Sequence, residues 1–579
     1  MRDLRRGLVG VLLAVTIAHA SQGYAYELRT HGEITRQAHS QSQGARAYLQ
    51  ATGIADSDRF DSDSTTESRK LAGFENRGTV QDWMIEGAIR EDDYIDRPVV
   101  GFLTGCTRPQ NPPSQTDRIR NHFFDVQRGG QGLTIGPLKG FPAPDWALGQ
   151  QGRGSGPGQN EFSLPDARDY QYLSLTAASR ETRERHTARF FRALGHLLHT
   201  LQDMAQPQHT RNDPHAGCMD MLDPILGDHS WYEHYVEGRT LRRPFPRRGG
   251  QVPGELVLEG YDPVPVRPYQ GFFSDTARRG VADFSSRNFL SAGTNLDSPD
   301  CGGLVEPPCQ AAAYQQRLQD FTTTTVKGPV SGVVTLYTRH VTDALTGDVT
   351  PNVPVSSRSV WDQHLQTASR SEKFTLNRFN YDAMADILLP RAVGYSAGFL
   401  DTFFRGALGA ANYESQKLRI LGGLETMSGD FELLYDKADG ARVRLAAWTL
   451  ALEPDQWSAP LPTPQLPADA APGAPCWLVF RGQLGFESGA VVGTQAGCPP
   501  APPPPPQHGE WVVYLCSYGA YGSTTSIRYN YATDDPPLWD DGLPALSFFL
   551  LPATGETNCS LVAQALPSQP PGTVTVHPF

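Results

Sequence analysis

The chain has 579 residues, of which 39% are hydrophobic and 19% charged, and its formal net charge is −12. This length exceeds what one hydrophobic core needs, so we expect two or three domains with packed interiors. The negative charge excludes a general electrostatic attraction to nucleic acid or to anionic membranes, so any affinity for phosphate has to be local.

The amino-terminal segment is typical of a secretory signal peptide. Arg2, Arg5 and Arg6 precede a short apolar stretch that is followed by small residues. This stretch is too short to span a bilayer, and no other segment of the sequence is long and apolar enough to be transmembrane. Cleavage after Ala20 and cleavage after Ala25 both fit the pattern. We therefore expect a secreted or periplasmic protein.

Helical periodicity dominates the first two thirds of the chain. The pattern predicts helices over 79–92, over 166–204 as two helices or one broken helix, and over 231–241, 274–293 and 381–408. Residues 292–375 are less regular and contain a β-type run at 322–341, so we interpret them as an irregular insertion between helices. The fold class expected for 26–408 is therefore a mainly α domain.

After about residue 409 the sequence becomes strand-like and is interrupted by proline-rich segments. A β-hairpin is predicted over 431–452 with Asp439 and Gly440 at its turn, and further strand-like runs follow. Polyproline segments are stiff and cannot join a sheet. The sequence therefore predicts a smaller β-rich, proline-interrupted domain over 409–579.

The chain has eight cysteines, an even number that favours disulfide bonds in a secreted protein. None of them shows the C-x-x-C spacing of a thiolate zinc site. Proximity along the chain predicts a local loop disulfide and two pairs in the β-rich region. The expected pairs are Cys301 with Cys309, Cys476 with Cys498, and Cys516 with Cys559.

Histidines and carboxylates recur at a spacing that suits metal binding. His199 and Asp203 lie four residues apart on a predicted helix, so both side chains share one face. Pro207 ends that helix, and His209 follows in the turn. His229 and Glu233 repeat the spacing of four.

A single His–Asp pair at helical spacing is most often a surface ion pair, whereas this combination favours a multi-metal site. Polar and aromatic contexts upstream add His31 and His122, and Asp92 and Asp93 lie between them. Imidazole and carboxylate donors without thiolates fit a hydrolytic zinc site with a position left for water. Asp92 and Asp93 are alternatives for the ligand.

Five motifs in this order resemble the zinc-dependent phospholipases C and the related single-strand-specific nucleases. They are HGEIT (31–35), GAIREDD (87–93), NHFFD (121–125), HTLQDMAQPQH (199–209) and HSWYE (229–233). The resemblance covers roughly residues 26–238, and 391–404 is similar to the last core helix of that family. It implies an all-helical bundle with three zinc ions in a cleft.

The resemblance also implies a ligand set, carried over motif by motif. One zinc would be held by Asp92, His122, His199 and Asp203, a second by His209, His229 and Glu233, and a third by His31, Asp203 and the backbone of Tyr26. Cleavage after Ala25 would make Tyr26 the mature amino-terminal residue and residues 1–25 the signal peptide. The family usually has Trp there, a difference of little effect if backbone atoms ligate. Asp92 is favoured over Asp93.

The function implied is that of a secreted phosphodiesterase. We expect a phospholipase C that hydrolyses the glycerol–phosphate bond of phospholipids at a membrane or micelle interface, with attack by a zinc-activated hydroxide that Asp92 orients. NHFFD is more similar to the phospholipase form of its motif than to the nuclease form. The alternatives are a single-strand nuclease of the same superfamily and a metal-stabilised, non-catalytic binding protein.

Two further features receive structural interpretations. His196, one turn before His199, is expected on the helix surface or beside the ligands rather than as a ligand. The G-x-S-x-G pattern at 394–398 lies in a helical run with no strand ahead of it, so it lacks the context of a nucleophile elbow. Ser396 is therefore not expected to be a nucleophile.

Overall fold

The structure, a computed structural model, describes residues 28–499 with gaps at 65–68, 70–71, 93–117, 136–137, 152, 154–157, 214–231, 234, 237–257, 297–319, 328–331, 360–373, 410–416 and 463. Beyond residue 499 it describes three strands. The predicted signal peptide lies outside the described residues. Within these ranges, no helix has both the length and the apolar content that crossing a bilayer requires.

The first part of the described chain is mainly helical, as the sequence predicts. The helices are α1 (Leu28–Gln41), α2 (Gln43–Thr52), α3 (Val80–Arg90), α4 (Ala143–Ala147), α5 (Leu164–Thr176), α6 (Arg180–Asp203), α7 (Pro207–Thr210), α8 (Gln270–Phe273), α9 (Val281–Asn288) and α10 (Arg378–Phe403). The predicted helices at 79–92, 166–204 and 381–408 correspond to α3, to α5 with α6, and to α10. The helix predicted at 274–293 is shorter, because Arg278 has a positive φ of 58° and Gly280 caps α9.

The strands form antiparallel sheets. They are β1 (Thr134–Ile135), β2 (Leu138–Lys139), β3 (Thr322–Lys327), β4 (Val333–Thr342), β5 (Val349–Arg358), β6 (Phe374–Thr375), β7 (Lys417–Leu418), β8 (Met427–Asp436), β9 (Arg442–Leu452), β10 (Leu461–Pro462), β11 (Cys476–Leu484), β12 (Glu487–Ala496), β13 (Glu510–Leu515), β14 (Thr525–Asn530) and β15 (Ala563–Ala565). The larger sheets have the orders β3-β4-β5-β6, β12-β11-β8-β9 and β14-β13-β15, and β1 pairs with β2 and β7 with β10.

Helix α6 is the centre of the helical part. The Ser179 side chain caps its first turn by accepting a hydrogen bond from the Thr182 amide. Every residue from Phe190 to Asp203 is buried, so this half of the helix is surrounded by protein on all sides. Its polar residues, including His196, are therefore buried with it and need partners inside the protein.

Two glycines allow α3 and α6 to cross at very short range. A Cβ atom at Gly195 would lie 2.0 Å from the Met84 carbonyl oxygen, and one at Gly87 would lie 2.0 Å from the Arg192 carbonyl oxygen. Only glycine fits at either position, because real Cβ atoms never approach backbone so closely. The crossing brings the end of α3, and the acidic residues that follow it, beside the second half of α6.

The segment interpreted as an irregular insertion contains a regular sheet. Strands β3 and β4 coincide with the predicted β-type run, and β5 and β6 extend it to four antiparallel strands. Strand β5 escaped sequence analysis because Pro351 and Pro354 interrupt it. The sheet also packs against α10, where Ser357 Oγ donates a hydrogen bond to Asn380 Oδ1 at 2.8 Å. Ser396 is buried in the middle of α10 and so does not lie at a turn from a strand into a helix.

The region after residue 409 is β-rich, as predicted. The hairpin of β8 and β9 turns at Asp439 and Gly440, where Gly440 has a φ of 84°. The predicted disulfide between Cys476 and Cys498 is present. The other cysteine pairs lie outside the described residues.

Contacts divide the chain at a different place from the predicted boundary at 409. One compact unit runs to Pro464 and continues over Asp469–Cys498, and the second comprises Gln465–Ala468 with Pro499–Phe579. The β8–β12 sheet therefore belongs to the same unit as the helices. Glu487, at the start of β12, helps to join this sheet to the helices. It forms buried ion pairs with Arg168 on α5 at 2.8 Å and with Arg405, just after α10, at 2.7 Å.

Replacing Gly195 with alanine tests the helix crossing. The new methyl group would press on the backbone of α3, and overpacking of this kind costs about 3 kcal/mol at the upper end of its usual range. We expect Gly195→Ala to lower the free energy of unfolding by about this amount, as measured by urea denaturation followed by circular dichroism. Gly271→Ala is the control, because its Cβ would meet only the flexible Arg267 side chain. Equal stability of Gly195→Ala and the wild-type protein would contradict the close backbone contact between α3 and α6.

Candidate metal centre

The last turn of α6 and the short helix α7 provide one side of the candidate site. His199 and Asp203 lie on the same face of α6, and the helix ends at Asp203. Pro207 starts α7, which turns the chain back so that His209 approaches the same carboxylate. The Gln206 side-chain amide donates a hydrogen bond to Asp203 Oδ1 at 3.1 Å and so fixes the turn between the helices.

The Asp203 carboxylate lies at the centre of four imidazoles. Its Oδ2 atom is 3.1 Å from His122 Nδ1 and 3.1 Å from His199 Nε2. Its Oδ1 atom is 3.4 Å from His31 Nε2 and 3.8 Å from His209 Nε2. The structure therefore brings together ring nitrogens from four separate parts of the sequence around one buried carboxylate.

Asp92 adds a second carboxylate to the same cluster. Its Oδ1 atom lies 3.4 Å from His122 Nδ1 and 3.5 Å from His199 Nε2. Two overlapping sets of ligand atoms are close enough to hold metal ions, namely His31, Asp92 and His199, and His122, His199 and Asp203. The alternative residue, Asp93, lies outside the described residues.

The remaining predicted ligands extend the cluster on the His209 side. His209 Nε2 lies 3.6 Å from Glu233 Oε1, and both residues are buried. His229 and Tyr26 lie outside the described residues, so their positions as ligands stay predictions. Seven of the nine predicted ligands are described, and all seven lie in one continuous network of short contacts.

Hydrogen bonds to uncharged oxygens orient three of the four imidazoles. In each case the Nδ1–H donates to a carbonyl or amide oxygen, which can only accept, so Nε2 is the nitrogen that faces Asp203. These bonds run from His31 to Gln202 Oε1 at 2.7 Å, from His199 to the Ala88 carbonyl at 2.6 Å, and from His209 to the His122 carbonyl at 3.0 Å. The Ala88 bond crosses from α6 to α3 and depends on the close approach of the two helices.

Opposite charges dominate the electrostatics of the cluster. Burial lowers the pKa of His199, but Asp203 and Asp92 outweigh it and raise that pKa to about 10. Burial also opposes the charge on His122, yet Asp203 and Asp92 hold its pKa well above the usual value. Burial raises the pKa of both carboxyl groups, but the imidazoles overcome this and hold each pKa well below its usual range. The pKa of His31 is lowered by burial and by His199.

The donor set could hold a divalent cation. Asp203 Oδ2 and His199 Nε2 are buried and form no hydrogen bond of acceptable geometry in the described part of the chain, although they lie 3.1 Å apart. Buried polar atoms are almost always hydrogen-bonded, so two such atoms that face one another fit a cation bound between them. Imidazole and carboxylate without thiolate is the donor combination of hydrolytic zinc sites.

Sequence analysis missed Glu91, a fully buried carboxylate next to Asp92. It forms an ion pair with buried Arg118 and accepts a hydrogen bond from Trp146 Nε1 at 2.8 Å. His196 Nδ1 lies 2.5 Å from its Oε2 atom, which agrees with the interpretation of His196 as a neighbour of the ligands. The acidic residues that follow α3 could have drawn attention to Glu91. Its partner Arg118, however, lies 27 residues further along the chain, and no sequence pattern connects the two residues.

A scan of the chain against protein-family models finds no match, and a search among curated proteins finds none either. The site geometry and the sequence motifs are therefore the basis of any functional assignment.

Cation binding to this cluster is expected to strengthen as the pH rises. Because the pKa values of His122 and His199 are raised, these rings hold protons at neutral pH that a metal ion has to displace. The affinity for Zn²⁺ should increase about tenfold per pH unit for each displaced proton between pH 6 and 8. Calorimetry in buffers of different ionisation enthalpy measures both the affinity and the number of protons released. An affinity independent of pH, with no proton release, would contradict this electrostatic description.

Proposed function

We propose that the protein is a zinc-dependent phosphodiesterase of the phospholipase C type that acts on phospholipids. One observation carries the proposal, namely that seven predicted ligands from five sequence motifs lie in one network of short contacts, with the Asp203 carboxylate among four of the imidazoles. The order and spacing of these motifs are similar to those of the zinc-dependent phospholipases C. The helical surroundings of the site also agree with the bundle that this resemblance implies.

The resemblance to the zinc-dependent phospholipases C divides the donors into three groups. Asp92, His122, His199 and Asp203 would hold one zinc ion, His209 and Glu233 with His229 a second, and His31 and Asp203 with the backbone of Tyr26 a third. Zinc in such sites lowers the pKa of bound water to about 7 and neutralises the charge of a phosphate group. The chain itself supplies the fixed positions of the donors, because His31, His199 and Asp203 are buried on the rigid helices α1 and α6.

Asp92 is the residue best placed to act on the attacking water. Its side chain is 15% exposed, whereas the side chains of His122, His199 and Asp203 are at most 2% exposed. Asp92 is therefore the member of this described ligand group with the most access to solvent. Because its pKa is held well below the usual value, the carboxylate is ionised and can accept a hydrogen bond from the water and orient it towards phosphorus.

The charge of the protein favours a phospholipid over a polynucleotide. A net charge of −12 repels a long polyanion, and the affinity of nucleic-acid-binding proteins depends largely on contacts to many phosphates. A single phosphodiester of a lipid needs only a local positive site, which metal ions would supply. The presence of all seven described ligands also argues against a metal-stabilised binding protein that has lost its catalytic activity, because such a loss usually removes a ligand first.

Substrate comparison with a matched pair of variants tests the function. Zinc-loaded protein would be offered p-nitrophenylphosphorylcholine, phosphatidylcholine or phosphatidylethanolamine emulsions, and denatured DNA. We expect hydrolysis of the phospholipids, and a loss of at least about a thousandfold in His199→Asn, whose amide can keep the bond to the Ala88 carbonyl but lacks the Nε2 donor. His186→Asn, on the same helix but outside the cluster, should remain within about twofold of the wild-type protein.

The other outcomes identify the alternatives. Hydrolysis of DNA alone would show that the protein is a nuclease and not a phospholipase C. No hydrolysis of any substrate at full zinc occupancy would indicate a metal-stabilised binding protein. Activity that survives in His199→Asn would contradict the assignment of the site itself.

A further inference from the structure

Glu91 lies just after the end of α3, beside the candidate metal centre, and is heavily hydrogen-bonded although it is not one of the predicted ligands. Arg118 donates to its Oε2 atom through Nε at 3.0 Å and also through Nη2. His196 donates to the same oxygen, and Trp146 donates to Oε1. Glu91 and Arg118 are each about 1% exposed, so this ion pair is fully removed from water.

The Arg118 guanidinium is itself held in place. It donates to Asn160 Oδ1 at 3.2 Å, and it lies over the rings of Trp146 and Phe162 at 5.2 and 5.4 Å. Phe162 also stacks on His196 with ring centroids 4.1 Å apart. The carboxylate of Glu91 is therefore fixed by donors from three separate segments of the chain.

His122 differs from the other imidazoles in what lies behind it. Its Nδ1 atom faces Asp203 at 3.1 Å, and its Nε2 atom lies 3.4 Å from Glu91 Oε1. In His31, His199 and His209 the nitrogen that points away from Asp203 is Nδ1, and it faces an uncharged oxygen. His122 is thus the one described imidazole of the cluster that has a carboxylate close to each of its two ring nitrogens, and it faces Asp203 with Nδ1 where the others use Nε2.

We propose that Glu91, acting as an anion, is a positioning residue that holds the His122 ring with Nδ1 directed into the metal centre and strengthens it as a ligand. A carboxylate behind a ligating histidine fixes the ring and makes its other nitrogen a better donor. Arg118 balances the charge of Glu91, so the carboxylate can stay ionised although it is buried. Arg118 also precedes His122 by four residues, so the same ion pair anchors the segment that carries the ring.

This role rests on the proposed function only in that the site binds zinc. A purely structural role is the alternative, because breaking a buried ion pair destabilises a protein whatever lies nearby. Glu86 offers a matched comparison, since it is a fully buried glutamate on α3, five residues before Glu91, and is paired with Arg192 at 2.9 Å. Glu86 forms no ion pair with a predicted ligand among the residues that the structure describes.

The test compares Glu91→Gln with Glu86→Gln in the full chain. Zinc affinity would be measured by competition with a chromophoric chelator, and the absorption spectrum of the Co²⁺-loaded protein would report on the ligand geometry. We expect Glu91→Gln to weaken the binding of zinc by about 10- to 100-fold and to shift the Co²⁺ spectrum. Glu86→Gln should bind zinc within about threefold of the wild-type protein and keep its spectrum. Equal losses in both variants, or wild-type affinity in Glu91→Gln, would overturn the proposal.

A second variant removes the risk that Glu91→Gln fails to fold with the charge of Arg118 left unpaired. Glu91→Gln combined with Arg118→Gln is neutral and keeps a hydrogen-bonded pair of similar size. We expect this double variant to bind zinc as weakly as Glu91→Gln, and wild-type affinity in it would overturn the positioning role. The zinc affinity and the Co²⁺ spectrum can be measured without turnover. An inactive wild-type protein would therefore contradict the proposed phosphodiesterase function without affecting the test of Glu91.

Discussion

A carboxylate that is buried among imidazoles needs positive charge next to it, and this requirement organises the centre of the protein. Asp203 is 1% exposed and lies within 4 Å of ring nitrogens from His31, His122, His199 and His209. Without a cation, protons on the rings supply the positive charge, which is why the pKa values of His122 and His199 are raised. Metal ions at the same nitrogens would supply it instead and release those protons. Binding of metal and stability of the helical core are therefore linked.

The fold meets this requirement by bringing backbones close together. Gly87 and Gly195 let α3 cross α6 at contact distance, so that the Ala88 carbonyl reaches the His199 ring and the end of α3 reaches the cluster. At that end, two adjacent acidic residues have different roles. Asp92 faces the imidazoles and solvent, whereas Glu91 faces inward to Arg118 and the rear of His122. One acidic run thus provides a candidate ligand, Asp92, and the residue that we propose positions another candidate ligand, His122.

Sequence patterns predicted the features that are local. The spacing of His199 and Asp203 is a property of one helix, and the Cys476–Cys498 disulfide joins neighbours in a hairpin. The polar and aromatic contexts of His31 and His122 made them candidates, but their assignment as ligands came from the resemblance to a family, since no spacing connects them to α6. Glu91 was missed because its importance comes from Arg118, which only tertiary packing brings near. The boundary at 409 does not match the contacts for the same reason, since the ion pairs of Glu487 cannot be read from the proline-rich segments.

Diffraction from a zinc-loaded crystal of the protein, recorded above and below the zinc absorption edge, would locate metal ions bound at the Asp203 cluster. We expect anomalous peaks around the Asp203 carboxylate, one of them between the ring nitrogens of His122 and His199. Tyr26 and His229 should lie beside two further peaks. An absence of anomalous density at the Asp203 cluster, with zinc present in the crystal, would contradict the account.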